Sequence, residues 1–492
     1  MKSYLALDLG AGSGRAIVGY FKEGRIYLDE VSRFENRRVK LGNTDYWDFL
    51  ALFDEIKKGI SAAVKKGYDL HGIAADTWGV DFGLIDASGS LISNPVSYRD
   101  ARTAGMSDEA FKSISKEEMY RVSGIQMMEI NTLFQLLSLI KRKDSALAVA
   151  DKLLFIPDLI NFFLTGRIAN EYTIASTSQL LNVRTKQWDI SLFERLALPS
   201  KLVAEIVHPG TLIGTLSDAI AKETGAKNVK VYAAGSHDTA SAIAAIPFEG
   251  DNCAFLSSGT WSLFGITADE AILTEKAFAD DFTNEGGANG KILFMRNITG
   301  LWLLQRLIDE WESAEGEKQS YEFLLSEAAK AEPFRSLVNS DEAVFANPQS
   351  MSAAIDEYCR ATAQPSPRNK GEYLRCVMES LALKYRVVND CLRECSGKSV
   401  EKLYIVGGGS RNLMLNQMIA NALNLEVITG LVEATAAGNI MQQAIADGTV
   451  ENEIVGHEII RKSFNFASYK PKEHQEWLQA IRRFTDILQI KK

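Results

Sequence analysis

One local pattern occurs twice in this chain, about half the chain apart. YLALDLGAGSGRAIVGYF (residues 4–21) consists of an apolar segment, a loop of small residues and a second apolar segment, and NCAFLSSGTWSLFGIT (residues 252–267) repeats that order. The apolar segments predict strands, and the small residues at 10–14 and 257–260 predict the turns between them. Two lobes that each begin with such a hairpin fit this duplication, with a predicted boundary between residues 247 and 248, giving lobes 1–247 and 248–492.

Helical and strand-like patterns alternate in the rest of the chain. Apolar residues recur at intervals of three and four in residues 46–66, which predicts an amphipathic helix. HGIAADTWGV and FGLID predict strands, and helical patterns dominate residues 107–165, 299–315 and 371–395. The alternation predicts an α/β fold. The chain has no short-period repeat, which excludes solenoids and propellers.

The charge balance excludes one class of function. Lysine and arginine total 54 against 63 acidic residues, a net charge of −9, whereas a general nucleic-acid binder needs a basic surplus or stripe. No uninterrupted apolar run approaches the ~20 residues that span a bilayer, and the N-terminus lacks a signal-peptide cleavage site. We therefore expect a cytoplasmic protein with neither nucleic-acid nor membrane partners. Because the net charge is negative, an anionic ligand would have to be held by groups at its own binding site, such as backbone N–H groups, a few arginines or a metal ion.

The loop of the first hairpin, DLGAGSGR (residues 8–15), is a candidate phosphate site. Glycines let backbone N–H groups approach a ligand closely and form a cradle for an anion. Asp8, at the end of an apolar strand, could hold a hydrated magnesium ion beside the phosphates, and Arg15 could reach the phosphates. The loop matches neither the Walker motif nor GxGxxG. An ordinary hairpin turn explains the same residues without any function.

Two further small-residue loops extend this pattern. SSGTW (residues 257–261) repeats the design of the first loop, and its Thr260 offers both a hydroxyl and an N–H group. Two such hairpins at the start of two half-chains suggest opposed phosphate clamps across a cleft. GGGSRN (residues 407–412) follows a predicted strand and precedes a predicted helix. Three successive glycines, with Gly408 at the centre, suit a backbone that lies flat against a purine.

Asp238, in GSHDTASA, is the candidate catalytic residue. It stands between a predicted strand and a predicted small-residue helix. In phosphoryl transfer the protein mainly positions groups and neutralises charge, so one carboxylate aligned with the attacking hydroxyl suffices as general base. Aspartate is also a favoured helix N-cap, which explains the residue without catalysis. The sequence leaves both interpretations open.

A polar cluster that contains a tryptophan completes the candidate site. DTWGVD places Asp76 and Trp78 around the close-approach glycine Gly79, between two predicted strands. An aromatic face beside carboxylates suits a polyhydroxylated substrate. The charged residues of YRDART (98–103) either belong to this site or form a surface ion-pair group.

Taken in order, these motifs resemble those of the FGGY carbohydrate kinases across nearly the whole chain. The motifs are DLGAGSGR, DTWGVD, YRDART, GSHDTASA, SSGTWS, RNITGLW, GGGSRN and EATAAGN. The resemblance implies two ribonuclease-H-like (actin-like) lobes, with ATP and a sugar in a central cleft between them. It also implies a magnesium-dependent transfer of phosphate from ATP to a sugar hydroxyl.

The resemblance implies roles for the matching residues. Asp238 would take the proton of the sugar's C1 hydroxyl, and Asp8 would be the carboxylate on the magnesium side, acting through water. With Asp76 and Trp78 of the polar cluster, the predicted sugar-binding residues are Asp76, Trp78, Gly79, His237, Asp238, Thr239 and Asn297. The predicted nucleotide-binding residues are Ala11, Gly12, Ser13, Gly14, Arg15, Thr260, Gln305 and Gly408.

Within the family, DTWGVDFGLID, YRDART and GSHDTASA resemble the members that act on L-rhamnulose and form L-rhamnulose 1-phosphate. A different ketose, such as L-fuculose or L-ribulose, would keep the same mechanism. A function of another class is an actin-like nucleotide switch that binds a protein partner. Such a switch would use the same phosphate loops, but it would need neither the His237–Asp238 pair nor the tryptophan-containing cluster.

Overall fold

The computed structural model describes residues 2–472 and 474–490. It divides into two compact units. Unit 1 comprises Met1–Pro247, Thr267–Phe294 and Glu433–Phe464, and unit 2 comprises Phe248–Ile266, Met295–Val432 and Asn465–Lys492. The first segment of unit 1 ends where the sequence places the boundary, and the later segments of the two units alternate along the chain. That each lobe is a single unbroken segment, 1–247 and 248–492, stays a prediction.

Strands and helices are interspersed along the whole chain. The strands are β1 Lys2–Leu9, β2 Ser13–Lys22, β3 Arg25–Glu35, β4 Arg38–Leu41, β5 Thr44–Trp47, β6 Asp69–Thr77, β7 Phe82–Asp86, β8 Ala150–Phe155, β9 Asn170–Glu171, β10 Leu181–Asn182, β11 Gln187–Trp188, β12 Ile206–Val207, β13 Leu212–Thr215, β14 Lys230–Tyr232, β15 Cys253–Ser258, β16 Trp261–Ala268, β17 Thr283–Gly286, β18 Ile292–Thr299, β19 Lys402–Val406, β20 Glu426–Thr429 and β21 Ala467–Tyr469. The helices are α1 Phe49–Lys65, α2 Met106–Ala110, α3 Lys116–Ser123, α4 Thr132–Lys141, α5 Ala146–Val149, α6 Ile156–Thr165, α7 Tyr172–Ser176, α8 Ile190–Arg195, α9 Asp218–Thr224, α10 Asp238–Ala244, α11 Glu275–Ala279, α12 Trp302–Glu315, α13 Tyr321–Lys330, α14 Met351–Ala361, α15 Lys370–Ser396, α16 Leu413–Leu423, α17 Ala434–Ala446, α18 Glu453–Ser463 and α19 His474–Ile490.

The main sheet of unit 1 has the strand order β3-β2-β1-β6-β14-β13. β1 pairs antiparallel with β2 and parallel with β6, and β6 pairs parallel with β14. The carboxyl ends of β1, β6 and β14 therefore lie at one edge of the sheet. Ligands of open α/β sheets bind at that kind of edge.

Unit 2 repeats this topology. The sheet that contains the second hairpin has the strand order β17-β18-β16-β15-β19-β20-β21, and β15 pairs antiparallel with β16 and parallel with β19, which pairs parallel with β20. In both units the first strand of the hairpin lies between its antiparallel partner and the next parallel strand. This is the ribonuclease-H-like arrangement, and the predicted α/β class is confirmed.

Local sequence explains where elements begin. Asp48 caps α1 by accepting a hydrogen bond from Ala51 N–H at 3.2 Å, and Leu52, Ile56 and Ile60 recur along the buried face of that helix. The predicted helical run over 107–165 is wrong in one part, because β8 interrupts it and pairs with β7. That segment is short and apolar, and Pro157 in the first turn of α6 marks its end.

Of the helices in the described ranges, none is long and apolar enough to cross a membrane.

A half-buried aspartate, Asp447, connects the end of α17 to the unit 1 sheet. Asp447 Oδ2 accepts hydrogen bonds from Lys2 Nζ at 2.8 Å and Tyr4 OH at 3.0 Å. Asp447 Oδ1 accepts from Lys230 Nζ at 2.9 Å and Tyr232 OH at 3.2 Å. Burial raises the pKa of Asp447, but the hydrogen bonds from Lys2, Lys230 and Tyr4 outweigh it and hold the pKa far below its ordinary value.

We predict that Asp447→Ala lowers the free energy of unfolding by about 2–4 kcal/mol at pH 7, because four donors lose their acceptor. A carboxylate whose folded pKa is depressed stabilises the fold above its unfolded pKa of about 4 and loses that contribution as the pH falls. The difference from the wild type in urea denaturation should therefore shrink between pH 5 and pH 2. Glu55→Gln, which alters an exposed ion pair with Lys58 on α1, should change stability by no more than about 0.5 kcal/mol. Equal losses of unfolding free energy in Asp447→Ala and Glu55→Gln would contradict this role of Asp447.

Candidate active site

Three aspartates lie at the carboxyl edge of the unit 1 sheet. Asp8 in β1 is in register with Asp76 in β6. Thr77, the last residue of β6, forms a parallel bridge with His237 in the segment that follows β14. This bridge brings the next residue, Asp238, to the same edge. The structure therefore brings together the three carboxylates that the sequence singles out.

Asp76 is the most deeply buried of the three. Its side chain is fully enclosed, and Oδ2 accepts a hydrogen bond from Asn439 Nδ2 at 2.6 Å. Oδ1 has no hydrogen-bond partner among residues 2–472 and 474–490. Burial, followed by the charge of Asp8, raises the pKa of Asp76 well above its usual range, which favours the protonated acid.

Asp8 has a cationic partner. Arg15 lies opposite Asp8 in the β1–β2 pair, and its guanidinium donates to the carboxylates of Asp8 and Glu433. Burial raises the pKa of Asp8, and Arg15 opposes that effect. Burial would lower the pKa of Arg15, but the two carboxylates raise it. Arg15, predicted to reach phosphates, is thus held in place by two acids.

The predicted first phosphate loop is the turn between β1 and β2. Gly10 N–H donates to Ser13 C=O at 2.9 Å and closes the turn, and Gly12 and Ser13 are exposed. A Cβ at Gly14 would lie 2.3 Å from the Phe34 ring, so this glycine is required for packing. The exposed residues of the turn are the ones available to a ligand.

Asp238 does not cap its helix. α10 begins at Asp238, and His237 occupies the N-cap position without a side-chain cap bond. Asp238 Oδ1 accepts from the N–H of its immediate neighbour, Thr239, at 2.6 Å, whereas an N-cap side chain accepts from the second or third residue of the helix. The capping alternative is therefore wrong. The side chain is 34% exposed, which leaves the carboxylate accessible to a ligand.

His237 lies between carboxylates. Its Nδ1 is 3.3 Å from Glu285 Oε2, and its Nε2 is 3.5 Å from Asp238 Oδ1. Burial lowers the pKa of His237, but Glu285, Asp238 and Glu171 together raise it above its ordinary value. Burial raises the pKa of Asp238, and the charge of His237 lowers it. The imidazole, followed by the backbone N–H and the hydroxyl of Thr239, favours the ionised form of Asp238.

The loop that contains Gly79 is fixed in a strained conformation. Val80 has φ of +66°, in the left-handed region that β-branched residues rarely adopt. Thr132 Oγ1 donates to Val80 C=O at 2.6 Å, and Val80 N–H donates to Thr177 Oγ1 at 3.1 Å. A Cβ at Gly79 would lie 3.1 Å from the same Thr177 hydroxyl. The backbone at this predicted sugar position is therefore held rigidly.

Trp78 lies in the core beneath that loop. Its ring packs against Trp47 with 4.4 Å between centroids. The indole N–H groups of Trp47 and Trp78 donate to Asp81 Oδ2 at 2.6 and 2.9 Å. Burial raises the pKa of Asp81 to about 6 against these hydrogen bonds.

The YRDART segment is held by hydrogen bonds. Asp100, which is buried, accepts from the backbone N–H groups of Asp45 at 2.8 Å and Arg102 at 2.9 Å. Arg102 donates to Gln135 Oε1 at 2.6 Å, and Gln135 donates to Asp81 Oδ1 at 3.1 Å. Asp100 and Arg102 therefore belong to the support of the Gly79 loop and not to a surface ion-pair group, whereas Arg99 is exposed.

Two predicted nucleotide residues of unit 2 touch each other. Thr260 Oγ1 donates to Gln305 Oε1 at 3.0 Å on an exposed surface. Leu301 N–H donates to Gly259 C=O at 2.9 Å, which attaches the start of α12 to the hairpin turn. The predicted sugar residue Asn297 also belongs to unit 2, where it is half-buried in β18.

The glycine run packs against the same hairpin. Gly407 has φ of +83°, and a Cβ there would lie 2.9 Å from Ser258 C=O. A Cβ at Gly409 would lie 2.0 Å from Ser258 Oγ, whereas a Cβ at Gly408 would meet nothing within 4 Å. The outer glycines are therefore required for close packing, and Gly408 faces open space.

Three contact residues of the site were not predicted from the sequence. Glu433 and Asn439 are the first and last residues of EATAAGN, a motif whose side chains have no predicted role, and Glu285 lies in none of the eight motifs. The Arg15–Glu433 pair joins residues 418 positions apart, and spacing along the chain does not reveal such a contact.

We predict that Gly409→Ala lowers the melting temperature, because the added Cβ overlaps Ser258 and overpacking costs about 1–3 kcal/mol. Gly408→Ala is the matched control, one residue away in open space, and should melt at the wild-type temperature or slightly above it. Differential scanning calorimetry of both variants checks this. Equal melting temperatures would contradict the packing described above.

Comparisons with known protein families and curated relatives give matches over nearly the whole chain. The N-terminal domain of the FGGY family of carbohydrate kinases matches residues 3–244, and the C-terminal domain of the same family matches residues 254–446. A rhamnulokinase from Bacteroides thetaiotaomicron is 43% identical over 487 residues, 99% of each chain. One from Oceanobacillus iheyensis is 40% identical over 469 residues, 94% of this chain and 97% of the other.

Solved structures share the fold at low sequence identity. The ligand-bound xylulose kinase from Lactobacillus acidophilus superposes with a TM-score of 0.82 at 16% identity, covering 100% of this chain and 98% of that one. Plasmodium falciparum glycerol kinase with ADP gives a TM-score of 0.81 at 15% identity, covering 99% and 98%. From its motifs, its topology and both domain matches, this chain belongs to the FGGY family of carbohydrate kinases.

Proposed function

We propose that this chain transfers the γ-phosphate of ATP to the C1 hydroxyl of L-rhamnulose, giving ADP and L-rhamnulose 1-phosphate. The observation that carries the proposal is Asp238, an accessible carboxylate beside a buried imidazole in the segment that matches the family motif. Rhamnulokinases aligned over 99% of both chains support the choice of sugar. We also propose a cytoplasmic location, where ATP is available for this reaction.

Asp238 is the proposed general base. Its carboxylate accepts the C1 hydroxyl proton as the sugar oxygen forms a bond to the γ-phosphorus and the bond from that phosphorus to the ADP oxygen breaks. Burial raises the pKa of Asp238, which makes the carboxylate a stronger base. The charge of His237 opposes this effect and keeps the carboxylate in the ionised form that can accept a proton.

The sugar is proposed to contact side chains and backbone that are already rigid. His237, Thr239 and the backbone at Gly79 would bind its hydroxyls, and Asn297 would add a contact from unit 2. Asp76 and Trp78 are buried, so we assign them to the support of this surface. Rigid positioning matters because a reacting hydroxyl must be held close to the phosphorus before transfer.

The nucleotide is proposed to bind to the three small-residue loops. The first hairpin turn would hold phosphates with residues Ala11, Gly12, Ser13, Gly14 and Arg15. Thr260 and Gln305 would contact the nucleotide together, since their side chains are already hydrogen-bonded. The open face at Gly408 would accept the flat adenine ring. With a net charge of −9, such local groups must attract ATP without a general positive field.

The carboxylate edge of unit 1 fits Mg²⁺ held through water. Asp8 and Asp238 lie close enough to repel each other, and Asp76 Oδ1 is buried without a hydrogen-bond partner in the described part of the chain. Mg²⁺ usually keeps several waters and uses one or two carboxylates, and we assign Asp8 that role. Within residues 2–472 and 474–490, no group of three His, Cys, Asp or Glu side chains could hold a metal directly. Bound Mg²⁺ would neutralise charge on the β- and γ-phosphates.

We predict a preference for L-rhamnulose in a coupled ADP-release assay with MgATP, over L-fuculose, L-ribulose, D-xylulose, D-gluconate and glycerol. Asp238→Asn should lower kcat by about a thousandfold or more while changing ATP affinity by less than about twofold, because the base faces the sugar. The matched control is Asp218→Asn, at the first position of α9 in the same unit, which should keep wild-type kcat.

The outcomes of this assay separate the alternatives. Preference for another ketose would overturn the sugar assignment and keep the mechanism. No turnover with any sugar, with ATP still bound, would favour the nucleotide switch. Loss of ATP binding and of thermal stability in Asp238→Asn, in parallel with its loss of turnover, would show that Asp238 acts in the fold and not as the base.

A further inference from the structure

We propose that Glu285 is a positioning residue for the base: acting through His237, it keeps the Asp238 carboxylate oriented and ionised. This inference rests on the proposed kinase function and adds a residue that none of the sequence motifs contains. Glu285 is assigned no contact with the sugar or the nucleotide. Its larger effect on Asp238 passes through the His237 ring, whose charge lowers the pKa of Asp238 more than the charge of Glu285 raises it.

The position of Glu285 is fixed by its strand. β17 (Thr283–Gly286) belongs to unit 1, as does His237. Gly286 N–H donates to Ser176 Oγ at 2.7 Å, and a Cβ at Gly286 would lie 2.7 Å from the Tyr172 ring. This tight packing against α7 holds the preceding residue, Glu285, which is only 6% exposed. A buried carboxylate is stabilised in its ionised form by a cationic partner.

The partner is His237. Glu285 Oε2 lies 3.3 Å from Nδ1 of the ring, and Asp238 Oδ1 lies 3.5 Å from Nε2 on the other side. The His237 backbone is fixed as well, because its N–H donates to Thr173 Oγ1 at 3.1 Å. The contact between Nδ1 and Glu285 Oε2 is an ion-pair distance without hydrogen-bond alignment. An imidazolium is attracted electrostatically to carboxylates on both sides, whereas a neutral ring carries no charge. Two carboxylates on opposite sides of the ring therefore favour the charged form.

Glu285 is the acid that controls this ring. A third carboxylate, Glu171 in β9, faces it, but Glu171 is already occupied: it accepts from Thr173 Oγ1 at 2.6 Å, from the N–H groups of Thr173 and Ile174, and from Ser236 N–H at 3.2 Å. Glu285 makes the largest contribution to raising the pKa of His237 against the effect of burial, and Asp238 and Glu171 follow.

The imidazolium is needed because of the charges around Asp238. Asp8 in β1 and Asp76 in β6 both interact electrostatically with Asp238. Burial raises the pKa of Asp238, and the charge of Glu285 itself adds a smaller increase, which the larger opposing effect of the His237 charge outweighs. A protonated Asp238 cannot accept the hydroxyl proton. With Glu285 holding a charged His237 beside it, Asp238 remains a carboxylate. The sugar proton moves to Asp238, and Glu285 takes no proton in the reaction.

The test is the isosteric variant Glu285→Gln, assayed by steady-state kinetics across pH. Without the Glu285 charge the pKa of His237 falls, the ring becomes neutral at assay pH, and the pKa of Asp238 rises. We expect the acid limb of kcat/KM for L-rhamnulose to move up by about one pH unit and kcat to fall about 10- to 100-fold. The KM for ATP should change by less than about twofold. Glu285→Asp keeps the charge. Relative to Glu285→Gln, it should reverse part of the shift in the acid limb and part of the fall in kcat.

The matched control is Glu379→Gln. Glu379 is also a buried glutamate, 1% exposed, and its partners are Arg375 at 2.7 Å and Phe334 N–H at 2.7 Å. This variant should lower the melting temperature without moving the acid limb. A general loss of folding therefore gives a different result from the loss of a positioning charge.

An NMR titration separates this inference from the proposed function. The chain has five histidines, so imidazole signals can be followed and the His237 signal assigned by its loss in His237→Asn. The His237 pKa should lie above its ordinary value in the wild type and fall in Glu285→Gln, whatever the substrate. An unchanged His237 pKa, or a changed one with an unmoved acid limb, would overturn the role of Glu285. A wild type inactive on every sugar would instead overturn the proposed function, and the titration would still decide whether Glu285 controls His237.

Discussion

The electrostatic repulsion among Asp8, Asp76 and Asp238 constrains the rest of the unit 1 site. Three carboxylates at one buried sheet edge disfavour ionisation of one another, and burial adds to that effect. Each carboxylate has a different partner: Arg15 for Asp8, Asn439 for Asp76 and His237 for Asp238. Arg15 and a charged His237 favour the ionised forms of Asp8 and Asp238, whereas the pKa of Asp76, beside a neutral amide, is raised well above its usual range. Carboxyl groups with different protonation states can take different roles in catalysis.

In unit 2, the predicted nucleotide residues lie on closely packed loops and carry no charged side chains. Its hairpin turn, the start of α12 and the glycine run pack closely, with Gly409 against Ser258 and Leu301 bonded to Gly259. These contacts leave Thr260 half-buried and Trp261 exposed. Neutral donors and a flat glycine surface suit a nucleotide whose charge is neutralised elsewhere. The two units therefore share a topology and differ in the chemistry that each presents.

The sequence predicts those structural features that depend on residues close together along the chain. Both hairpins, the α/β class and the placement of Asp238 at a strand–helix junction follow from local patterns, and the structure agrees with them. It does not predict contacts between distant segments, such as the Arg15–Glu433 pair or the approach of Glu285 to His237. The left-handed Val80 was not predicted either, because valine disfavours that conformation and only tertiary hydrogen bonds impose it.

The most direct test of the proposed reaction is the identity of the product. L-rhamnulose labelled with ¹³C at C1 is incubated with MgATP and the wild-type chain, and the product is examined by ¹³C and ³¹P NMR. We expect the C1 signal to split through coupling to a single phosphorus, because Asp238 deprotonates the C1 hydroxyl. An unsplit C1 signal with phosphate on another carbon, or ATP hydrolysis without any phosphorylated sugar, would contradict this mechanism.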